Sequence, residues 1–288
     1  MTDYGLLFRE LAVPRLVGTA NHQKVREVLK RELATRGLLV EEHVFSGRPR
    51  RPLVGVPSGV SGINLIAQRP SDRPTVWLVA HYDSKGQPIS MAVRLAAAFV
   101  LFAGVVGMIV GAIPPFVVLL LGFLLALNRV NDNSPGAVDN ATALIAVFMA
   151  IDQLGPTTAV GVIFSDAEEF GLVGARALAT ERTELFADAT VINLDGLDDV
   201  GQAIALVHRP GPTGIAVATA LQARRWRWLP VVVDGIALAR VSRECVTILK
   251  GNWRTMRVVH RPTDTVDRVR LDGAASVAAG LARVLRTP

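Results

Sequence analysis

The chain has 288 residues, of which 50% are apolar and 19% are charged, and its mean hydropathy is +0.37. This composition excludes a disordered or collagen-like chain, and it is too apolar for an ordinary soluble protein. The chain has 31 basic and 25 acidic residues. This positive net charge is compatible with binding to nucleic acid or to an anionic membrane, and also with no specific partner. The lone cysteine, Cys245, excludes an intramolecular disulfide and a zinc site built on several thiolates.

Short apolar runs alternate with helical patterns along most of the chain. The spacing of Val25, Leu29 and Leu33 predicts an amphipathic helix over 21–39 that ends near Gly37. Runs of strand length lie at 39–45, 63–67, 75–80, 159–164, 190–194 and 246–249, and further helices are predicted at 141–154, 175–180 and 274–285. The Gly, Pro and Ser content of 54–62 predicts a loop. This alternation indicates an α/β fold with helices on both faces of the sheet.

One long segment carries most of the apolar surplus. Residues 95–127 contain no charged or strongly polar side chain, and Arg94 and Arg129 flank them. A buried core helix rarely needs more than about 14 such residues, whereas a bilayer span needs roughly 20. Membrane insertion is therefore the favoured interpretation.

Two prolines divide this apolar segment. Pro114 and Pro115 interrupt it slightly past its middle, where two helices over 95–113 and 116–127 would part. The segment is short for two complete spans, which need roughly 40 residues, so we expect a short-spanning or re-entrant hairpin. One long tilted helix and an apolar dimerisation arm are the alternatives.

Polar residues gather where the predicted strands end, which is where ligands collect in α/β sheets. They form five groups: His81 to Ser84, Asp139 with Asn140, Asp166 to Glu169, Asn193 to Asp195, and His260 with Asp264 and Thr265. Singly, each group has a structural explanation, such as a hydrogen-bonded histidine or a helix N-cap. Together, imidazole and carboxylate groups suit zinc or a similar divalent ion.

The spacing within two of these groups indicates that neighbouring residues have different roles. Glu168 and Glu169 are neighbours and cannot point the same way, so one can bind metal while the other acts as a general base. Asp83 lies two residues after His81, close enough to hold the second imidazole nitrogen.

These motifs, in this order, resemble peptidase family M28, the co-catalytic zinc aminopeptidases. The matching segments are 14–19 (PRLVGT), 80–84 (AHYDS), 136–141 (GAVDNA), 166–174 (DAEEFGLVG), 193–195 (NLD) and 260–265 (HRPTDT). The resemblance implies the mixed β-sheet of the zinc-dependent exopeptidases, with helices on both faces. Residues 1–90 and 129–288 would form this peptidase domain, and 91–128 would be an inserted transmembrane or re-entrant hairpin.

The same resemblance implies a site for two zinc ions per chain. His81, Asp139 and Asp195 would hold one ion. Asp139, Glu169 and His260 would hold the other, with Asp139 bridging the pair.

Further roles follow from the resemblance. Glu168 would be the general base and Asp83 the partner of His81, and a cis peptide would join Asp139 to Asn140. One element departs from the family, because Val233-Asp234-Gly235 lacks the histidine of the usual Ser-Asp-His motif. That departure bears on substrate preference more than on metal binding.

The predicted function is that of a membrane-anchored, metal-dependent exopeptidase, specifically an aminopeptidase that hydrolyses N-terminal peptide bonds. A single-zinc transferase similar to glutaminyl cyclases is one alternative. A catalytically silent membrane scaffold or receptor on a peptidase fold is the other. We expect a peptide substrate and a lipid bilayer as partners, and no nucleic acid.

The order of the motifs constrains the membrane topology. His81 and Asp139 are expected in one site although the apolar segment separates them, so the chain must return to the side that it left. Arg94, Arg129 and the lack of a secretory signal predict that the catalytic domain is cytoplasmic. The basic and aromatic cluster at 224–228 suits interface anchoring or packing.

Overall fold

A mixed sheet of eight strands organises the chain, as seen in a computed structural model that describes residues 2–49, 57–70, 73–155 and 158–286. The strands are β1 (Leu39–Gly47), β2 (Val60–Gln68), β3 (Val76–His81), β4 (Val160–Ser165), β5 (Thr190–Leu197), β6 (Gln202–Arg209), β7 (Arg224–Trp226) and β8 (Glu244–Gly251). Their order across the sheet is β1-β2-β4-β3-β5-β8-β6-β7. The central strands β4, β3, β5 and β8 run parallel, so their carboxyl ends meet at one edge. The pairs β1–β2, β2–β4 and β8–β6 are antiparallel.

Helices cover both faces of this sheet, as the sequence predicts. They are α1 (Tyr4–Leu11), α2 (Ala20–Thr35), α3 (Met91–Ile109), α4 (Pro115–Ala126), α5 (Thr142–Leu154), α6 (Val173–Glu181), α7 (Pro212–Ala220), α8 (Gly235–Leu238), α9 (Trp253–Val258) and α10 (Asp272–Leu285). Leu78 of β3 packs in a core with α1, α2, α5 and α10, whereas Trp77 and Val79 pack in a second core with α6 and α8. This alternation is that of a strand buried on both faces.

Each predicted element outside the hairpin has a counterpart in the structure with somewhat different bounds, and the main difference lies near the start of β2. Residues 60–62 belong to this strand rather than to a loop, and Gly47 of β1 is paired with Val60. Residues 54–56 of that predicted loop lie outside the described residues. The long-range pairing with β1 overrides the local preference of Gly and Ser for turns.

The apolar segment forms the predicted hairpin of two helices. α3 and α4 pack against each other, and Gly104 of α3 faces Val118 and Leu121 of α4. The first helix begins at Met91, before the apolar run, and the second at Pro115. Proline is tolerated there because the first helical position needs no backbone donor.

Hydrogen bonds join the two ends of the hairpin where it leaves the sheet domain. The backbone N–H groups of Gly86 and Asn131 donate to each other's carbonyl oxygens at 2.7 and 2.9 Å. The Ile89 N–H donates to Oδ1 of Asn128 at 3.0 Å. The chain therefore returns to the place that it left.

Two helical stretches are long and apolar enough to cross a membrane by length and composition alone. Ala137–Leu154 is 83% buried over its apolar window and is a core helix, whereas Met91–Ile109 is only 11% buried. α4 is also apolar but has 12 residues, which corresponds to about 18 Å. Only the hairpin thus presents apolar helices to the outside among the described residues.

A buried arginine fixes the backbone around the start of the hairpin. Arg15 is fully buried, and its Nε donates to the carbonyl oxygen of Tyr82 at 2.8 Å. Its two terminal nitrogens donate to Pro135 and Gly136, at 2.5 and 3.0 Å. Because Tyr82 follows β3 and Gly136 precedes α5, this side chain ties together the two segments that the hairpin separates.

Candidate metal centre

The polar groups predicted at strand ends come together at the carboxyl edge of the parallel strands. His81 is the last residue of β3, and Asp195 lies within β5. Glu169 follows β4, and Asp139 lies in the turn that leads into α5. His260 follows α9 with a positive φ of 63°. The five side chains predicted to bind metal therefore converge from distant parts of the sequence.

The five side chains form two groups that share Asp139. One group is His81, Asp139 and Asp195, and the other is Asp139, Glu169 and His260. In each group the potential ligand atoms lie within 4.8 Å of one another. Nε2 of His81 is 3.2 Å from Oδ1 of Asp139, whereas Nε2 of His260 is 2.9 Å from Oδ2. The two oxygens of Asp139 thus face different groups, which is the arrangement that a bridging carboxylate requires.

Hydrogen bonds hold the turn that carries Asp139. The carboxylate of Asp264 accepts the N–H groups of Val138 and Asp139 at 2.9 and 3.2 Å. The Asn140 side chain donates to the carbonyl of Leu194 at 3.0 Å and accepts the Gly196 N–H at 3.1 Å. The peptide bond between Asp139 and Asn140 is cis, as the resemblance implies.

The neighbouring glutamates point in different directions. Oε1 of Glu169 lies 3.1 Å from Nε2 of His260, and Oε2 lies 2.6 Å from Nζ of Lys85. The buried carboxylate of Glu168 accepts no hydrogen bond within the described part of the chain. This carboxylate remains free to exchange a proton with a bound reactant.

Asp83 contacts both halves of the site. Its carboxylate lies 3.4 Å from Nδ1 of His81, and its carbonyl oxygen is closer to that nitrogen, at 3.1 Å. The same carboxylate accepts the backbone N–H groups of Glu168 and Glu169, each at 3.1 Å. Sequence reasoning anticipated the first contact and missed the second, because the second depends on how the loop after β4 folds.

Burial and mutual repulsion shift the proton affinities of this site. Burial, with the nearby charges of Glu169 and Asp195, raises the pKa of Glu168 well above its usual value, although His81 opposes the shift. Burial, reinforced by Asp139, raises the pKa of Asp195 to about 7. Burial alone would raise the pKa of Asp139, but hydrogen bonds with His260 and His81 hold it well below its usual value.

These residues fit divalent cations. Oε1 of Glu169 is buried and accepts no hydrogen bond of good geometry in the described chain, despite the nearby His260 ring. Such an atom lacks a partner that a cation would supply. Two imidazoles and three carboxylates form the donor set that zinc commonly uses.

Three other charged groups lie near the site, and none of them was among the predicted site residues. Lys85 contacts Glu169, and the buried Asp234 accepts a hydrogen bond from Ser165 at 2.5 Å. Arg94, which flanks the apolar segment, turns toward the site, with Nη2 2.6 Å from Nδ1 of His260. The sequence feature that could have indicated this contact is the position of Arg94, in the first turn of the hairpin and next to the returning chain.

Comparisons with known proteins identify the family of the chain. The sequence profile described as peptidase family M28 matches residues 64–225, which is more than half of the chain. The chain therefore belongs to peptidase family M28, a zinc-dependent family. A comparison with curated protein sequences finds no match.

Solved structures with the same fold include two kinds of enzyme. A glutaminyl cyclase from Porphyromonas gingivalis is 16% identical, with a TM-score of 0.69 over 98% of this chain and 95% of that chain. The LapA aminopeptidase of Legionella pneumophila is 12% identical, with a TM-score of 0.65 over 99% and 72%. An aminopeptidase from Aneurinibacillus sp. strain AM-1 is 12% identical, with a TM-score of 0.64 over 98% and 92%. These likenesses establish the fold and leave both activities open.

The role of Asp83 can be tested through cation affinity. In Asp83→Asn, the amide nitrogen cannot accept one of the two N–H groups of Glu168 and Glu169. We expect Zn²⁺ affinity to fall about 10- to 100-fold, as for other residues that orient metal ligands. Competition with a chromogenic chelator measures this affinity. The exposed Asp188→Asn is the matched control, and equal affinities in the two variants would contradict the role.

Proposed function

We propose that the protein is a membrane-anchored, metal-dependent exopeptidase, and specifically a two-zinc aminopeptidase. The observation that carries this proposal is the position of Asp139, whose two carboxylate oxygens each face a complete set of potential ligands. His81, Asp139 and Asp195 would hold one ion, and Asp139, Glu169 and His260 the other. When bound, the two ions would polarise the scissile carbonyl and make a water molecule more acidic.

Glu168 is suited to move the proton in this reaction. Its carboxylate lies within the site, is buried and is free of hydrogen bonds in the described chain. As general base, Glu168 would take a proton from water while the water oxygen bonds to the carbonyl carbon. As the C–N bond breaks, the same carboxyl group would return the proton to the leaving amine. Asp83 would hold the backbone of Glu168 in place throughout.

A glutaminyl-cyclase-like transferase with one zinc is the second candidate. The glutaminyl cyclases among the solved structures with this fold favour it. The presence of two complete groups of donors, including His81, Asp139 and Asp195, favours the peptidase. The same completeness argues against a catalytically silent scaffold, because a silent relative has no need for all five donors.

We further propose that the hairpin enters a bilayer as a re-entrant element. Phe99 and Phe102 of α3 are 73% and 68% exposed, and Leu119 and Phe123 of α4 are similarly exposed. α4, at about 18 Å, is shorter than the hydrocarbon core of roughly 30 Å. The exposed Arg129 at the end of the hairpin supports a cytoplasmic location of the catalytic domain.

The base assignment predicts the behaviour of Glu168→Gln. A glutamine cannot take the proton, so hydrolysis of aminoacyl-coumarin substrates should fall at least about 100-fold. Zinc content, measured by plasma emission spectrometry, should not change. Glu27→Gln, on the exposed face of α2, is the control. Full activity in Glu168→Gln would eliminate the assignment.

The two candidate enzymes differ in the expected effect of Asp195→Asn. A two-zinc site should lose one of its two ions and its hydrolytic activity, because an amide is a poorer zinc ligand than a carboxylate. The exposed Asp267→Asn should keep both ions. The opposite result would be that the parent and Asp195→Asn each bind one zinc ion and that both cyclise N-terminal glutaminyl peptides. That result would replace the peptidase by the cyclase.

The membrane proposal predicts the effect of charge in the hairpin. Phe99→Lys with Phe102→Lys would place two ammonium groups in hydrocarbon, at about 2.5–3.5 kcal/mol each. We expect the chain to move from the membrane to the soluble fraction after alkaline washing. Val44→Lys, at an apolar site of β1 that is 68% exposed, is the matched control. If all three proteins fractionate alike, the hairpin is not an anchor.

A further inference from the structure

A short helix beside the hairpin presents one aromatic and two basic side chains to the outside. α9 packs against α3, close to the point where the hairpin leaves the sheet domain. Trp253 is 54% exposed, and Arg254 and Arg257 are also exposed. Position 257 is four residues after 253 and three residues after 254, so the three side chains share one face of α9. We name this surface the α9 face.

The positive charges of the α9 face have no compensating carboxylate within the described ranges of the chain. Neither Arg254 nor Arg257 has an acidic partner among the residues that the structure describes. Arg129, which follows the second helix of the hairpin, is also exposed and unpaired there. By contrast, the exposed Arg31 pairs with Glu10 at 3.0 Å. Arginines without an acidic partner in the described chain therefore lie on the helix that contacts α3 and just after the end of α4.

The α9 face is also directly connected to the candidate metal centre. α9 ends at Val258, two residues before His260. The backbone N–H of Gln87, at the start of the chain leading to the hairpin, donates to the His260 carbonyl at 2.8 Å. The side chain of Arg94, in the first turn of α3, reaches the His260 ring at 2.6 Å. The same few residues thus link the hairpin, the α9 face and one potential metal ligand.

We propose that the α9 face binds the anionic headgroups of the bilayer that holds the hairpin. Tryptophan favours the membrane interface, and arginines next to a hydrophobic segment are attracted to anionic lipid. The metal centre then lies near the membrane surface, and its substrates are peptides whose N-termini are presented at that surface. The inference rests on the proposed function, because it assumes that the hairpin is inserted and that the site acts on N-termini.

A second basic and aromatic cluster provides a built-in comparison. Arg224, Arg227 and Trp228 are also exposed, on and just after β7. β7 is the last strand of the sheet and runs with β6, antiparallel to β8. Its carboxyl end therefore points away from the edge where β8 leads into α9. Arg225 and Trp226 are exposed there as well, so this cluster is at least as rich in basic and aromatic side chains as the α9 face. Its different place separates a located surface from a general effect of net charge.

A competition between two vesicle populations tests the proposal on the full chain. One population is phosphatidylcholine, the other also contains phosphatidylglycerol, and the partition ratio of the chain between them is measured. The hairpin contributes similarly to both, so the ratio reports the headgroup preference. Arg254→Ala with Arg257→Ala should lower the preference for anionic vesicles on the order of 30-fold. Arg224→Ala with Arg227→Ala should leave it unchanged.

The fluorescence of Trp253 supplies an independent readout of location. In vesicles with brominated lipid chains, Trp253→Phe should remove most of the quenchable tryptophan emission, and Trp228→Phe should retain it. An equal loss of anionic preference in both arginine pairs would overturn the proposal, as would quenching that depends on Trp228. Failure of the parent chain to bind either vesicle population would instead overturn the hairpin anchor, and the headgroup surface with it.

Discussion

The burial of several carboxylates around Asp139 is the constraint on which the rest of the site depends. Removing charged groups from water is unfavourable unless opposite charges or hydrogen bonds compensate. The pKa values of Glu168 and Asp195 are raised because burial disfavours the charged form of each carboxyl group. His81 and Lys85 supply part of the compensation, and the donor set fits cations that would supply the rest.

A surrounding layer of polar residues keeps these carboxylates in position without contributing ligands. Asp264 holds the turn at Asp139, and Asp83 holds the loop of the two glutamates. Asp166 belongs to this layer as well, because its buried carboxylate accepts the Tyr82 hydroxyl at 2.9 Å and lies 2.8 Å from His22. The sequence motifs therefore contain more acidic residues than the candidate metal sites need. Several of these acidic residues hold the surrounding structure in position and are not candidate ligands.

The convergence of the five candidate ligands could be predicted because parallel strands bring their carboxyl ends to one edge. The hairpin could be predicted because 95–127 has too few polar residues for an ordinary buried helix. The inward turn of Arg94 could not be predicted, because an arginine beside an apolar run ordinarily extends its charged end toward water. The helix α9 could not be predicted either, since a six-residue helix leaves almost no periodic signal.

Because the hairpin is inserted within the sheet domain, it constrains the orientation of that domain more than an anchor at a chain terminus would. A terminal anchor on a flexible linker leaves the catalytic domain free to rotate above the bilayer. Here both ends of the hairpin are hydrogen-bonded to each other, at Gly86 and Asn131. Its first turn also touches His260 through Arg94. With so few free bonds between hairpin and site, the hairpin and the cleft are held in a fixed relative orientation. In the proposed bilayer arrangement, the orientation of the hairpin would therefore set the orientation of the cleft, and hence which N-termini could reach it.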